Sequence, residues 1–212
     1  MLFYFLLLVG FRERGVFMKN QKLLFLSETA ILTALALLLD MLSSFIIKMP
    51  QGGSLSLGMI PIFIMSFRWG LKGGLLTGLL TGILQPFLST PFIVHPAQAI
   101  LDYPLPFMLA GMSGLFSSWV HSALKLNKWS ALTAIMTATF AGSILRLASH
   151  VLSGVVFFGS YAPKGTPVFT YSFVYNATWI IPTWIIAGIA VWLVVMNSPG
   201  IIKSTHKKTV SL

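Results

Sequence analysis

The sequence predicts an all-α integral membrane protein with six transmembrane helices and both termini in the cytoplasm. Hydrophobic residues make up 56% of the 212 residues and charged residues 8%, whereas soluble domains carry about 25% charged residues. The mean hydropathy of +0.88 agrees with a membrane protein. A net charge of +10 would suggest nucleic acid for a soluble chain. Here the basic residues flank apolar segments, which indicates a lipid bilayer and no nucleic acid partner.

Six apolar segments follow one another along the chain, and the second is short and contains Pro61. They cover residues 23–47, 55–67, 71–88, 99–120, 131–158 and 171–196. No loop between them is long enough for a separate domain, so residues 18–203 are predicted to form a single membrane domain. Residues 1–17 place basic residues after a short apolar run, unlike a signal peptide. We interpret them as an N-terminal extension or disordered tail, and residues 204–212 as a basic cytoplasmic tail.

The lysines and arginines predict the orientation of these segments. With the N-terminus inside, 11 of the 14 fall on the cytoplasmic side. The outer loops carry two, Lys48 and Lys164, and Arg146 lies within a span. Such a positive-inside bias places both termini in the cytoplasm.

Small residues spaced four apart predict close packing between helices. Gly70, Gly74, Gly78 and Gly82 follow this spacing in the third segment, and small residues at such positions let helix backbones approach in lipid. We interpret them as a packing ridge rather than a substrate groove. Ala30 and Ala34, in "AILTALA", repeat the spacing more weakly, and their composition alone also favours internal packing.

Catalytic signatures are absent from the sequence. It contains no HExxH, no GxSxG and no cysteine, and "GSYAPKGT" at 159–166 lacks the Gly-Lys-Ser/Thr order of a phosphate-binding loop. We therefore expect a protein that is not an enzyme, with no metal site, no cofactor and no ATPase activity of its own.

Ionisable residues inside the predicted spans point most directly to function, because a charge at mid-bilayer costs roughly 2.5–3.5 kcal/mol. Counted from Phe158 along a helix, His150 lies about 12 Å and Arg146 about 18 Å below the outer boundary. Asp40 lies about 10 Å below the outer end of its span, and Asp102 lies only a few residues deep. We interpret Arg146 and Asp40 as a structural ion pair, and expect Asp102 and His150 to contact a ligand.

Aromatic and polar side chains converge on the same outer half of the predicted bundle. A polar cluster ringed by aromatic rings predicts a small-molecule site. The excess of carboxylates over arginine there favours a cationic ligand, which aromatic faces would also attract. Trp179 is interpreted as an interfacial or packing residue. The candidate binding residues are Asp102, Tyr103, His150, Gly154, Phe158, Tyr171 and Asn176.

Three stretches of the sequence resemble a known family. They are "MPQGGSLSLGMIPIFIMSFRWGLKGG" (49–74), "HPAQAILDYPLPF" (95–107) and "RLASHVLSGVVFFGSYAPKGTPVFTYSFVYNAT" (146–178). Together they resemble the YuaJ/ThiT family, the thiamine-specific S components of energy-coupling-factor (ECF) vitamin importers, over essentially residues 19–200.

The resemblance implies six helices and a thiamine pocket near the outer face, lined by the candidate binding residues named above. It implies a lid loop between the first two helices, with Met49, Pro50, Gln51, Gly52 and Gly53. It also implies a membrane coupling protein (the T component) and two ATPase subunits, which hydrolyse the ATP. The coupling protein would dock on Ala30 and Ala34, which match the family's AxxxA motif.

The sequence departs from the family pattern at three points. Family members carry glutamate where this chain has Asp102 and tryptophan where it has Phe158, and their lid-loop tryptophan has no counterpart here. The ligand therefore stays open among thiamine, its phosphates and its pyrimidine precursor. The alternatives are an S component for another small vitamin and a membrane enzyme that uses Asp102 and His150 for acid–base chemistry.

Overall fold

The computed structural model describes residues 21–45, 49, 53–89 and 91–203. The predicted extension 1–17, the tail 204–212 and the lid residues Pro50, Gln51 and Gly52 lie outside the described residues. The elements of the described ranges are α-helices and short 3-10 helices.

Seven α-helices follow one another in these ranges. They are α1 (Gln21–Ser44), α2 (Met59–Leu88), α3 (Pro96–Asp102), α4 (Pro104–Ala110), α5 (Ser117–Ala123), α6 (Lys128–Phe157) and α7 (Val168–Asn197). Five stretches are long and apolar enough to cross a membrane, namely α1, α2, Pro96–Ala123, α6 and α7. The prediction of an all-α membrane protein is therefore confirmed.

The stretch Pro96–Ala123 is interrupted, and its first break lies next to two candidate site residues. Pro96 opens α3 at a position where a missing N–H costs nothing, and the His95 ring Nδ1 accepts a hydrogen bond from Ala97 N at 3.1 Å. Pro104 opens α4 directly after Tyr103, which has non-helical backbone angles. Asp102 therefore ends α3, and Tyr103 forms the junction.

The helix α2 is folded back on itself at Gly70. This residue has φ 66° and ψ −156°, far from helical values, and such a positive φ is accessible mainly to glycine. A Cβ atom built on Gly73 would lie 2.9 Å from the Met65 carbonyl oxygen, although residues eight apart in a straight helix are separated by about 12 Å. Ser56, just before α2, and Gln85, near its end, both bind Asp40. The halves 59–69 and 71–88 therefore lie side by side.

The predicted glycine ridge packs on the stretch that contains α3 and α4. Cβ atoms built on Gly74, Gly78 and Gly82 would clash with the backbone carbonyl oxygens of Gly111, Phe107 and Tyr103, respectively. Only a residue without a side chain allows the two backbones to come this close. The packing ridge is confirmed for Gly74, Gly78 and Gly82, and this contact helps to position Tyr103 beside α2. Gly70, the fourth predicted member, forms the reversal instead, and a Cβ atom there would make only ordinary contacts, the nearest at 3.6 Å.

The first half of α2 is the centre of the bundle. Met59, Ile62, Phe63, Met65 and Phe67 are each at most 1% exposed. The flanking helices bury fewer of their side chains and leave large apolar ones on the outside. A mainly apolar central helix surrounded by helices with apolar outer faces is suited to a lipid environment.

A polar clamp holds together the end of the bundle at which α1 begins and α7 ends. The Arg68 guanidinium bonds to the Glu28 carboxylate at 2.5 Å, and the Trp69 indole N–H donates to the same carboxylate. Arg68 Nη1 also donates to the carbonyl oxygens of Ile201 at 2.9 Å and Lys203 at 3.0 Å. One guanidinium thus connects α1, the reversal in α2 and the segment after α7.

We predict that Gly78→Ala lowers the thermal unfolding temperature of the protein in detergent. Alanine favours a helix over glycine by about 1 kcal/mol, but the new Cβ would lie 2.7 Å from the Phe107 carbonyl carbon, and overpacking costs typically 1–3 kcal/mol. Gly200→Ala is the matched control, because nothing lies within 4 Å of its Cβ position. An unfolding temperature for Gly78→Ala equal to or above that of the control would contradict the ridge.

Candidate functional site

A cavity of about 470 Å³ lies at the end of the bundle opposite Arg68. Its volume falls within the range typical of small-molecule sites. Its walls come from α1, α2, α3, α4, α6, α7 and the segment before α2. The structure brings all seven candidate binding residues to this cavity: Asp102, Tyr103, His150, Gly154, Phe158, Tyr171 and Asn176.

The Asp102 carboxylate is held by side chains from α3 and α6. One oxygen accepts hydrogen bonds from Gln98 Nε2 at 2.6 Å and Ser153 Oγ at 2.8 Å. The other lies 3.0 Å from His150 Nδ1. Because a carboxylate only accepts hydrogen bonds, Nδ1 carries the proton of the imidazole in this contact. Asp102 therefore fixes the orientation and the tautomer of His150.

The helices α6 and α7 cross closely where Gly154 faces Ser172. A Cβ atom on Gly154 would overlap the Ser172 hydroxyl, which donates to the Val151 carbonyl oxygen at 2.9 Å. Asn176 donates through its amide nitrogen to the Ser172 carbonyl oxygen at 2.9 Å. Gly154 thus allows the approach of α7 that brings Asn176 and Tyr171 to the cavity wall.

Aromatic rings cover the part of the cavity nearest the loop between α6 and α7. The ring of Phe158 lies 5.9 Å from that of Phe92 and 6.1 Å from that of Tyr161, measured between centroids. The Tyr103 hydroxyl accepts a hydrogen bond from Phe92 N at 3.1 Å. These contacts build an apolar rim on which a flat ligand can pack.

Two residues of the predicted lid loop lie within the described residues, and both are near the cavity. Met49 N donates to the Gly53 carbonyl oxygen at 2.8 Å. Gly53 lines the cavity with a φ of 92°, and a Cβ atom there would lie 2.7 Å from the Trp179 indole nitrogen. Met49 lines a neighbouring cavity of about 360 Å³, which shares Tyr171 and Tyr175 with the first. Met49 and Gly53 therefore both lie beside α7.

Asp40 and Arg146 line the same cavity, but among the described contacts no nitrogen–oxygen pair within 4.0 Å joins them directly. Asp40 accepts hydrogen bonds from Ser56 Oγ and, at 3.3 Å, from Gln85 Nε2. The Arg146 guanidinium carbon lies 4.7 Å from the ring centroid of Phe107 and 5.1 Å from that of Trp179. Each charge also has other partners, and the two groups interact electrostatically without a contact within 4.0 Å. Their role as a structural ion pair stays a prediction.

Sequence reasoning overlooked several residues of the cavity. Trp179, interpreted as an interfacial or packing residue, is 3% exposed, lines the cavity and meets the His150 ring edge-on at 4.9 Å. Gln98 precedes Asp102 by four residues on a helix, a spacing that could have revealed it. Ser153 on α6 donates to Asp102 on α3, and Gln85 on α2 donates to Asp40 on α1. Sequence spacing does not indicate contacts between different helices.

The two alanines of the predicted docking motif lie away from the cavity. Ala30 and Ala34 are exposed on α1, so the packing interpretation that composition favoured does not hold for them in this chain. They lie on the outside of the bundle between the exposed side chains of Leu26 and Leu38.

A bundle of apolar helices that encloses a polar, aromatic-lined cavity near one end is the architecture of a solute-binding membrane protein. The thiamine transporter protein family (Thia_YuaJ) matches residues 26–203. The chain belongs to this family, as the sequence predicted. It is accordingly a multi-pass cell-membrane transport protein and not an enzyme.

Individual relatives are similar in sequence to this chain over most of their length. The chain is 49% identical to the thiamine transporter ThiT of Bacillus subtilis over 187 residues, which covers 88% of this chain and 97% of the relative. It is 32% identical to ThiT of Lacticaseibacillus paracasei over 165 residues, 74% of this chain and 80% of the relative. A solved structure of ThiT from Listeria monocytogenes superposes with a TM-score of 0.78 at 33% identity, covering 87% of this chain and 100% of that chain.

We predict that Asp102→Ala lowers the unfolding temperature of the ligand-free protein more than Ser153→Ala does. The first change leaves three groups without their acceptor, Gln98 Nε2, Ser153 Oγ and His150 Nδ1. Leaving a buried donor unsatisfied costs about 1–3 kcal/mol. Ser153→Ala removes one donor and leaves the carboxylate two partners. Thermal unfolding in detergent measures both, and the reverse order would show that Asp102 does not organise this wall.

Proposed function

We propose that this protein is the thiamine-binding S component of an ECF-type importer. In this proposal it captures thiamine at the extracellular side and delivers it inward together with a T component and two ATPase subunits, which hydrolyse the ATP. The observation that carries the proposal is that the seven residues matched to the family's binding site line one cavity of about 470 Å³.

Six spans with both termini in the cytoplasm are part of the proposal. The reversal of α2 at Gly70 supports it, because folding one stretch into two antiparallel halves turns five apolar stretches into six. The half 59–69 is short, about 16 Å, and its burial at the centre of the bundle suits a helix that meets little lipid. The clamp around Arg68 lies beside Lys72 and Lys203, as a cytoplasmic end should under the positive-inside rule. The cavity then faces outward.

The chemistry of the cavity suits thiamine. Thiamine joins a thiazolium ring, which carries a fixed positive charge, to a flat aminopyrimidine. Asp102 and Asp40 supply carboxylates, and Phe158, Trp179 and Tyr171 supply aromatic rings, which attract cations through their faces. We assign Asp102 to the electrostatic attraction, His150 and the aromatic rings to packing against the ligand, and Asn176 and Tyr171 to hydrogen bonding.

The lid and the docking surface complete the assignment. We assign Met49 to Gly53 as a lid whose last residue packs on Trp179, so that closing it would cover the ligand. The exposed Ala30 and Ala34 are assigned as the surface that docks on the T component, because small side chains allow helices to approach closely in lipid.

Isothermal titration calorimetry on the purified protein tests the ligand. We expect thiamine to bind tightly and Asp102→Asn to weaken binding by at least about 100-fold, because it removes a charge facing a cation while keeping the shape. Glu28→Gln is the matched control, since it removes a carboxylate at the opposite end of the bundle, and its affinity should equal that of the wild type. Weak or absent binding of thiamine by the wild type would refute the proposal, and thiamine monophosphate and the pyrimidine precursor compete in the same assay.

Co-purification with a T component tests the docking surface. We expect Ala30→Leu together with Ala34→Leu to abolish association with the coupling protein and to leave the affinity for thiamine unchanged, because the added side chains separate the helices. Ala148→Leu is the control, since Ala148 is also exposed but lies on α6. Normal association of the double variant would place the docking surface elsewhere.

A further inference from the structure

Several buried polar atoms around the cavity have no hydrogen-bond partner among the described residues. They are Arg146 Nε and Nη1, Gln85 Oε1, His150 Nε2 and Trp179 Nε1. All four residues line the cavity. Buried polar groups in native proteins are nearly always paired, and each exception calls for an explanation. A concentration of them around one cavity indicates that a polar ligand supplies the missing partners.

The orientation of the Gln85 amide is determined by Asp40. The Gln85 Nε2 donates to Asp40 Oδ2 at 3.3 Å, and the Ser56 hydroxyl donates to Oδ1. Since a carboxylate only accepts hydrogen bonds, it binds the nitrogen of the amide and turns the carbonyl oxygen away from itself. Gln85 therefore contributes an acceptor to the cavity, and Asp40 is the residue that positions it.

Arg146 contributes donors at the same place. Its side chain is buried, with the residue 4% exposed, and the guanidinium packs near the Phe107 and Trp179 rings rather than bonding directly to a carboxylate. A guanidinium has donors only and stays charged. The Arg146 guanidinium therefore donates hydrogen bonds to acceptor atoms of a ligand and repels a cation placed next to it.

We propose that Arg146 and Gln85 form a subsite that reads the hydrogen-bonding edge of the aminopyrimidine ring, an inference that rests on thiamine being the ligand. The aminopyrimidine presents acceptor nitrogens beside an amine that donates. Arg146 supplies donors to the nitrogens, and Gln85 Oε1 accepts from the amine. The thiazolium ring has a positive charge and no nitrogen lone pair, so it is directed away from Arg146. Arg146 thus acts in ligand orientation and specificity, beyond the scaffold role that the sequence predicted.

The proposal distinguishes thiamine from oxythiamine, in which a carbonyl oxygen replaces the amine. Oxythiamine would place this oxygen against Gln85 Oε1, so two acceptors would meet. We expect the wild type to prefer thiamine by at least about tenfold, as for a lost and unsatisfied hydrogen bond. Gln85→Met should weaken thiamine binding but leave oxythiamine binding unchanged or stronger, because the opposing oxygen is gone. Asp40→Asn should also reduce the preference, because an asparagine amide lets Gln85 turn over.

Calorimetry with both ligands on each variant provides the test. Thr33→Val is the control, since the Thr33 hydroxyl is also buried and unpaired but does not line the cavity, and its ligand preference should match that of the wild type. Arg146→Lys should weaken the binding of thiamine and the binding of pyrithiamine by the same factor, at least about ten. The two ligands share the aminopyrimidine ring and differ only in the cationic ring.

The outcomes separate the two proposals. A preference for thiamine that shrinks in Gln85→Met and stays in Thr33→Val supports the subsite. Equal losses for thiamine and oxythiamine in Gln85→Met would overturn it and leave Gln85 a purely structural residue, while thiamine binding itself stands. A wild type that does not bind thiamine would refute the function, and the subsite with it.

Discussion

A carboxylate inside a lipid-embedded bundle needs hydrogen-bond donors from the protein itself, and the cavity of this protein is organised around that need. Lipid offers no substitute for water, so a buried charge depends on partners from the protein or from a ligand in the cavity. Asp102 meets the requirement with Gln98 on its own helix and with Ser153 and His150 on α6. These bonds join α3 to α6 and set the direction of the His150 ring. The α3 and α6 sides of the cavity wall are therefore joined by the groups that solvate Asp102.

Close backbone packing makes that arrangement possible. The glycines of α2 lie against the carbonyl oxygens of the stretch that holds Tyr103, and Gly154 lets α7 approach α6. Side chains at these positions would separate the helices and widen the distances on which the hydrogen bonds depend. The glycines thus determine the distance between the helices, and the hydrogen bonds of the polar side chains depend on that distance.

The sequence predicted the features that depend on local pattern. Apolar segments and charge placement indicated a membrane protein, and glycine spacing indicated the packing ridge. The stretches 49–74, 95–107 and 146–178 indicated the family. The environment of Arg146 could not be predicted, because its neighbours Phe107 and Trp179 come from α4 and α7 and meet only in three dimensions. The same holds for Ser153 beside Asp102. Trp179 does pack in the core, with Leu147 and Val151, but only the fold shows that it also lines the cavity.

The helix α1 is fastened to α2 at two points, through Glu28 to Arg68 near one end and through Asp40 to Ser56 and Gln85 near the other. The fastenings lie about 18 Å apart along the helix, with the exposed Ala30 and Ala34 between them. The helix α1 is thus bonded to its neighbours on both sides of the exposed alanines. A shift at its middle would act on the Asp40 contacts with Ser56, in the segment before α2, and with Gln85, at the cavity. A partner that contacts α1 at Ala30 and Ala34 would therefore touch a helix that is bonded directly to the Gln85 side of the cavity.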